Sequence, residues 1–316
     1  MAGIGGYNGW RWIFIIEGLA TIVAAVIAKV FIVDWPETSK FLTTDERQLL
    51  LRRLREDVSE VKMDHFDNKA RRRTFGDWKI YVGFVLEQYF LPPSSCMLRL
   101  SIRILMYLGI VNTGYSTSFF IPTILQELGW TSVRAQVLSI PIYIVAAIFA
   151  LVAAFLTDYF RHRYTFTMVG ICVASIGYIV LLAQKHVSVP GRYVAIYLIV
   201  IGGYITQPIT LVWLSNNMGG HYKRSVNAAM QIGFGNLGGI VASNIFITKQ
   251  QPTYPVGYGV SLAMLWVCGI ACTTLLAGLT YENRKRDRGE RDDRYDLPKE
   301  ELENLGDGHP RFRFVY

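Results

Sequence analysis

QVLSIPIYIVAAIFALVAAFLT, residues 136–157, contains no charged side chain. As a helix it is roughly 33 Å long at about 1.5 Å per residue, enough to cross a hydrocarbon core about 30 Å thick. A helix on the surface of a soluble domain would interrupt such a run with a polar face. Working outward, apolar runs of comparable length recur at 104–125, 165–183, 193–213, 228–248 and 258–281, and a further one stands alone at 12–33. The predicted fold class is all-α and polytopic, with the lipid bilayer as its solvent.

The totals agree. Hydrophobic residues make up 52% of the 316 and charged residues 18%, against about 25% charged in a typical soluble domain. The net charge of +8 comes from basic blocks between the apolar runs. That distribution follows the rule that Lys and Arg collect in cytoplasmic loops, and no aromatic–basic motif accompanies it, so no nucleic-acid partner is expected. Residues 34–79 hold eleven Lys and Arg. Placing them inside also puts Arg161 and Arg163, Lys223 and Arg224, and the basic end from Arg284 to Arg294 inside. The outer loops keep Arg134, Lys185, Arg192 and Lys249. Within 34–79, Thr43-Thr44-Asp45-Glu46 reads as the capping box of an amphipathic helix with Leu50, Leu51 and Leu54 on one face. That helix either connects two bundles or lies on the membrane surface.

Catalytic chemistry finds no support. The five histidines fall in loops or the tail, and neither HExxH nor GxSxG occurs. Gly233-Phe234-Gly235 follows no strand and no GKS or GKT is present, so no nucleotide loop is encoded. Cys268 and Cys272 share a helix face without His or acidic company and read as small core residues. Neither an enzyme, nor a cofactor, nor a metal site is expected.

Several motifs, in order, carry a resemblance: Gly9-Trp10-Arg11-Trp12-Ile13-Phe14-Ile15-Ile16-Glu17-Gly18; Asp34-Trp35-Pro36-Glu37-Thr38 with Phe41-Leu42-Thr43; Phe120-Ile121-Pro122-Thr123-Ile124; Asp158 with Arg161 and Arg163; Asn216-Asn217 through Lys223-Arg224; Phe234-Gly235-Asn236-Leu237-Gly238-Gly239; and His309-Pro310 with Phe312-Arg313-Phe314. Together the chain resembles fungal major facilitator transporters. More narrowly it is similar to the anion:cation symporter group that includes allantoate permease and the nicotinate, pantothenate and biotin carriers. The resemblance implies a twelve-span fold of which this chain holds the sixth span and the C-terminal six-helix bundle, its N-terminal half in cis being absent. Residues 1–33 would then be a lone transmembrane helix, 34–81 a cytoplasmic central loop, 104–281 the bundle of two three-helix repeats, and 282–316 a charged, flexible cytoplasmic tail. Residues 82–103 depart from the pattern. They read as an insertion, a translated short intron, with a re-entrant or interfacial segment as the alternative. The implied function is uptake of a small organic anion with protons across the plasma membrane. The alternative is a truncated membrane protein that does not transport.

Polar side chains inside the spans are the candidate substrate contacts, because an amide in lipid needs partners and transporter sites lie near the midplane. Asn236 comes first: about eight residues into 228–248, it is roughly 12 Å deep, and Gly235, Gly238 and Gly239 leave its amide unscreened. Tyr115 and Gln207 could join it around a carboxylate, and Asn112 and Gln231 are further candidates. The competing role for all five is helix–helix hydrogen bonding. Asp158, at a span's end, can pair with Arg161 or Arg163 across a short loop and latch two helices in one access state.

Overall fold

A computed structural model describes residues 6, 9–32, 36, 39, 41–57, 95–218, 221–296, 298, 302 and 308–316. The chain divides into two units, residues 1–60 and 61–316, each described by itself.

The first unit contains α1 (Gly9–Phe31) and α2 (Thr44–Asp57). The capping box at the start of α2 forms as its sequence predicts. The Thr43 amide and hydroxyl both donate to Glu46 Oε2, at 3.0 and 2.7 Å, and the Glu46 amide returns to Thr43 Oγ1 at 3.4 Å. These bonds favour the ionised carboxylate, so the Glu46 side-chain bond to Thr43, then its backbone bond, hold the pKa below the usual glutamate value. With the folded pKa depressed, the capping contribution is present above the unfolded pKa and fades as pH falls through the folded one. A peptide spanning residues 39–57 is therefore expected to lose helicity on acidification. Glu46→Gln, which keeps the box without the charge, reduces the amplitude; an identical acid transition in the variant would sever the link.

The second unit holds α3 (Ser95–Glu127), α4 (Ser132–Phe160), α5 (Arg163–Leu182), α6 (Val189–Asn216), α7 (His221–Gly235), α8 (Gly238–Ile245) and α9 (Pro255–Asp287). Each predicted run between 104 and 281 falls on a helix, except that 228–248 is divided between α7 and α8. The helix over 104–125 begins earlier than expected. α3 starts at Ser95 and runs unbroken through residue 103. Cys96 to Arg103 contain neither Pro nor Gly, so nothing stops the helix from propagating upstream. The rest of the proposed insertion, 82–94, lies outside the described residues.

The bundle's interior is mainly apolar with buried hydroxyls among the apolar side chains, and its outside is apolar as well. Thr113, Ser116, Thr117, Thr167, Ser175, Thr206, Thr210 and Ser261 are buried, while Val137, Ile140, Ile144, Ile148, Leu151 and Phe155 form an exposed stripe along α4. Among the described residues, α4, α5, α6 and α9 are long and apolar enough to cross a membrane, with 17, 44, 56 and 39% of their most apolar windows buried. The spread sets their places: α6 is central and α4 leaves most of its surface uncovered within this unit. α5 and α6 form the tightest pair. Gly170, Ala174 and Gly177 on α5 face Gly202, Ile199 and Ala195 on α6, and a Cβ at Gly177 would stand 2.6 Å from the Ala195 carbonyl. With no hydrophobic force between helices in lipid, such close backbone approach is what holds them together. α9 packs on α3 and α5, and Cys268 and Cys272 are fully buried there.

Within the expected flexible tail over 282–316, the described stretches 282–296 and 308–316 have residues packed on the bundle. α9 continues to Asp287, and Glu282, Asn283 and Arg286 are buried. One carboxylate, Glu282, pairs with two arginines. Arg291 donates from Nε and Nη2 to the two Glu282 oxygens at 3.1 Å each, and Arg286 Nη2 stands 3.7 Å from Glu282. Beyond them, Phe312 and Phe314 return to the bundle and bury.

Candidate functional site

The division of 228–248 falls at Asn236, the first of the candidate residues. From Phe234 to Ile240 the hydrogen bonding tightens: Leu237 N–H donates to Phe234 O at 3.1 Å, Gly239 to Asn236 O at 2.9 Å and Ile240 to Leu237 O at 3.0 Å. These i to i−3 bonds replace the α-helical pattern, as happens at mid-helix hinges. The cause is close contact with α3. A Cβ at Gly238 would stand 2.6 Å from the Leu108 carbonyl, one at Gly239 2.9 Å from the Tyr115 ring, and one at Gly235 would overlap Tyr107. Glycines permit that approach and weaken the helix at the same place.

Asn236 sits in the tightened turn and is exposed. Its backbone is satisfied, its N–H donating to Ile232 O at 3.0 Å, so its side-chain amide is the group on offer. Tyr115 is half-buried on α3, its ring against Gly239 and stacked on Phe119 with centroids 5.6 Å apart. Gln207 is half-buried on α6 with its Oε1 3.4 Å from the Cβ position of Gly114. Tyr115 thus borders the Asn236 turn, while Gln207 approaches α3 at Gly114, a different face of that helix. Asn112 and Gln231 do not join them on an open face. Asn112 is 0% exposed and donates from Nδ2 to Ser261 Oγ on α9 at 3.3 Å. Gln231 is 1% exposed within α7.

The acid–base loop between α4 and α5 resolves the choice left open by its sequence. Arg163 Nη2 donates to Asp158 Oδ1 at 3.1 Å. Arg161 takes the left-handed position that ends α4, with φ 55° and its N–H on Thr157 O at 3.0 Å. Asp158 is 74% exposed, so the pair contributes at most about 1 kcal/mol.

Sequence reasoning did not single out the buried polar cluster beside Asn112. Ser116 and Ser261 lie 3.4 Å apart, oxygen to oxygen. A cavity of about 20 Å³ next to them is lined by Ser116, Thr117, Tyr178, Phe246 and Tyr258, among others. Its volume is about that of a single water molecule. The hydroxyls were visible as residues, but which faces of α3, α5 and α9 meet depends on the assembled bundle.

Comparison with known proteins follows the same lines. The sequence profile of the Major Facilitator Superfamily matches residues 1–243. An uncharacterized transporter of Schizosaccharomyces pombe is 31% identical over 289 residues, covering 91% of this chain and 53% of its own length. The high-affinity nicotinic acid transporter of Saccharomyces cerevisiae is 26% identical over 314 residues, covering 99% and 54%. A major facilitator-type transporter of Emericella nidulans is 28% identical over 315 residues, covering 97% and 58%. The chain spans about half the length of these relatives. Its apolar helices, the exposed apolar stripe of α4 and the profile match over most of its length lead to one conclusion: the chain belongs to the major facilitator superfamily.

Proposed function

We propose that the protein is a secondary transporter of the anion:cation symporter group, carrying a small organic anion, a carboxylate or vitamin-like molecule, with protons across the plasma membrane. This chain supplies the second six-span half, and the half preceding it in cis completes the path. The observation that supports this reading most is the tightened turn at Asn236, with the Tyr115 ring against its Gly239. A broken helix at membrane depth is a common way to expose polar groups to a substrate, and a neutral amide, a phenol and a second amide can together hydrogen-bond a carboxylate. The relatives are named as transporters, one of them for nicotinic acid, which favours a carboxylate cargo. The Asp158–Arg163 pair serves as a gating contact, with Arg161 shaping its loop. Asn112 joins the bundle's internal hydrogen bonding through Ser261, and Gln231 is buried within α7.

The test is uptake by the full-length protein in yeast cells stripped of their own carriers, using radiolabelled nicotinate, pantothenate, biotin and allantoate. At least one is expected to accumulate, faster as the outside is acidified, and a protonophore should abolish the gradient. Surface-located protein that moves none of them, or moves one with no dependence on outside pH, contradicts the reading.

A further inference from the structure

The last residues of the chain are bound with unusual completeness. Asn283 on α9 grips Phe314 through both backbone groups: its Nδ2 donates to Phe314 O at 2.9 Å and its Oδ1 accepts from Phe314 N–H at 3.0 Å. Asn217, which caps the end of α6, grips Val315 in the same way at 3.0 and 2.8 Å. Trp213 Nε1 adds a bond to Val315 O at 2.9 Å. Arg163, the first residue of α5, donates its N–H to Tyr316 O at 2.9 Å. Arg286 donates to Phe312 O and lies over the Phe314 ring, 4.5 Å from its centroid. In an extended segment the backbone groups of successive residues point to opposite sides. Phe314 can therefore bond α9 while Val315 bonds α6, and one short strap bridges three helices.

The grip on α6 falls on one side of Pro208. A proline inside a helix removes one N–H bond and makes a natural bending point. Trp213 and Asn217 both lie past it, on the piece of α6 that would swing if the helix bent there. We infer that residues 312–316 are a latch that holds the part of α6 beyond Pro208 against α5 and α9. With the latch closed, this end of α6 moves with α5 and α9 as one block. With it released, the segment after Pro208 bends on its own. Because the grip consists mainly of side-chain amides on the strap's backbone, any change that pulls out the strap opens all three attachments together. The inference does not depend on the cargo or on transport.

Hydrogen–deuterium exchange of the full-length protein in lipid nanodiscs tests it. Two variants release the strap without altering any helix residue: deletion of 312–316, and Val315→Pro, which removes the amide that Asn217 accepts from. In both, amides of 210–217 are expected to exchange roughly tenfold faster or more, while those of 193–203, before Pro208, change less than about twofold. Unchanged exchange at 210–217 in either variant overturns the inference. So does an even acceleration on both sides of Pro208, or throughout the bundle, since that describes a general staple of the fold and not a latch on one half-helix.

Discussion

Gly202→Val is expected to lower the melting temperature of the purified protein by about 6–12 °C or to prevent its accumulation, the largest effect on folding predicted for any single site. At Gly202 a Cβ would stand 2.6 Å from the Ala174 amide nitrogen and 2.8 Å from the Ala174 Cβ, and would overlap the Gly170 carbonyl. Backbone atoms cannot rotate away as a side-chain tip can, so α5 and α6 must separate along their whole contact. Overpacking of this kind costs about 1–3 kcal/mol for modest insertions and more for a branched side chain. Roughly 3 kcal/mol corresponds to the stated shift at about 2–4 °C per kcal/mol for a domain of this size. Gly233 is the matched control. Nothing lies within 4 Å of its Cβ position, so Gly233→Ala should leave the melting temperature unchanged or slightly raised. Equal effects of the two substitutions would show that the α5–α6 approach does not decide stability.

The second large effect concerns uptake. In the full-length protein, Asn236→Ala is expected to reduce uptake of the transported anion by roughly 10- to 100-fold, the loss of one hydrogen bond to a charged group at about 1.5–3 kcal/mol. Surface expression should hold, because the turn is maintained by the Asn236 backbone and by glycine contacts on α3, not by the Asn236 side chain. Gln231→Leu should behave in the opposite way. Gln231 is buried within α7, so its replacement changes helix packing and protein amount before it changes the apparent affinity. Uptake that falls only in proportion to expression in the Asn236 variant would assign Asn236 to packing.

The spans of α4, α5, α6 and α9 were legible because charge-free runs of about 20 residues have few alternatives to crossing a membrane. The capping box at Thr43 was legible because it is local: four consecutive residues determine it. Features that depend on a partner helix were not. The glycines around Asn236 stood out in the sequence, yet a glycine costs a helix only about 1 kcal/mol. It is their contact with Tyr107, Leu108 and Tyr115 that turns a weak point into the end of α7 and the start of α8. Asn112 could be placed at the right depth but not on the right face, since its partner Ser261 lies 149 residues away. Asp158 could reach either arginine by spacing, and the choice fell to Arg163 because Arg161 is used to turn the chain. The packing within the tail was missed for a related reason. Its basic residues look solvated one by one, whereas Glu282 gathers two of them, and Asn217 and Asn283 hold a segment that no local pattern connects to them.

The central claim is that the turn between α7 and α8 lines the path of the anion, and cysteine accessibility tests it most directly. In the full-length protein with Cys96, Cys172, Cys268 and Cys272 replaced, Asn236→Cys should react with a membrane-impermeant methanethiosulfonate reagent. The anion found to be transported should slow that reaction in proportion to its occupancy, whereas an anion that is not transported should have no effect. A cysteine at this position that stays inert to the aqueous reagent, or reacts at the same rate with saturating transported anion present, would contradict the account.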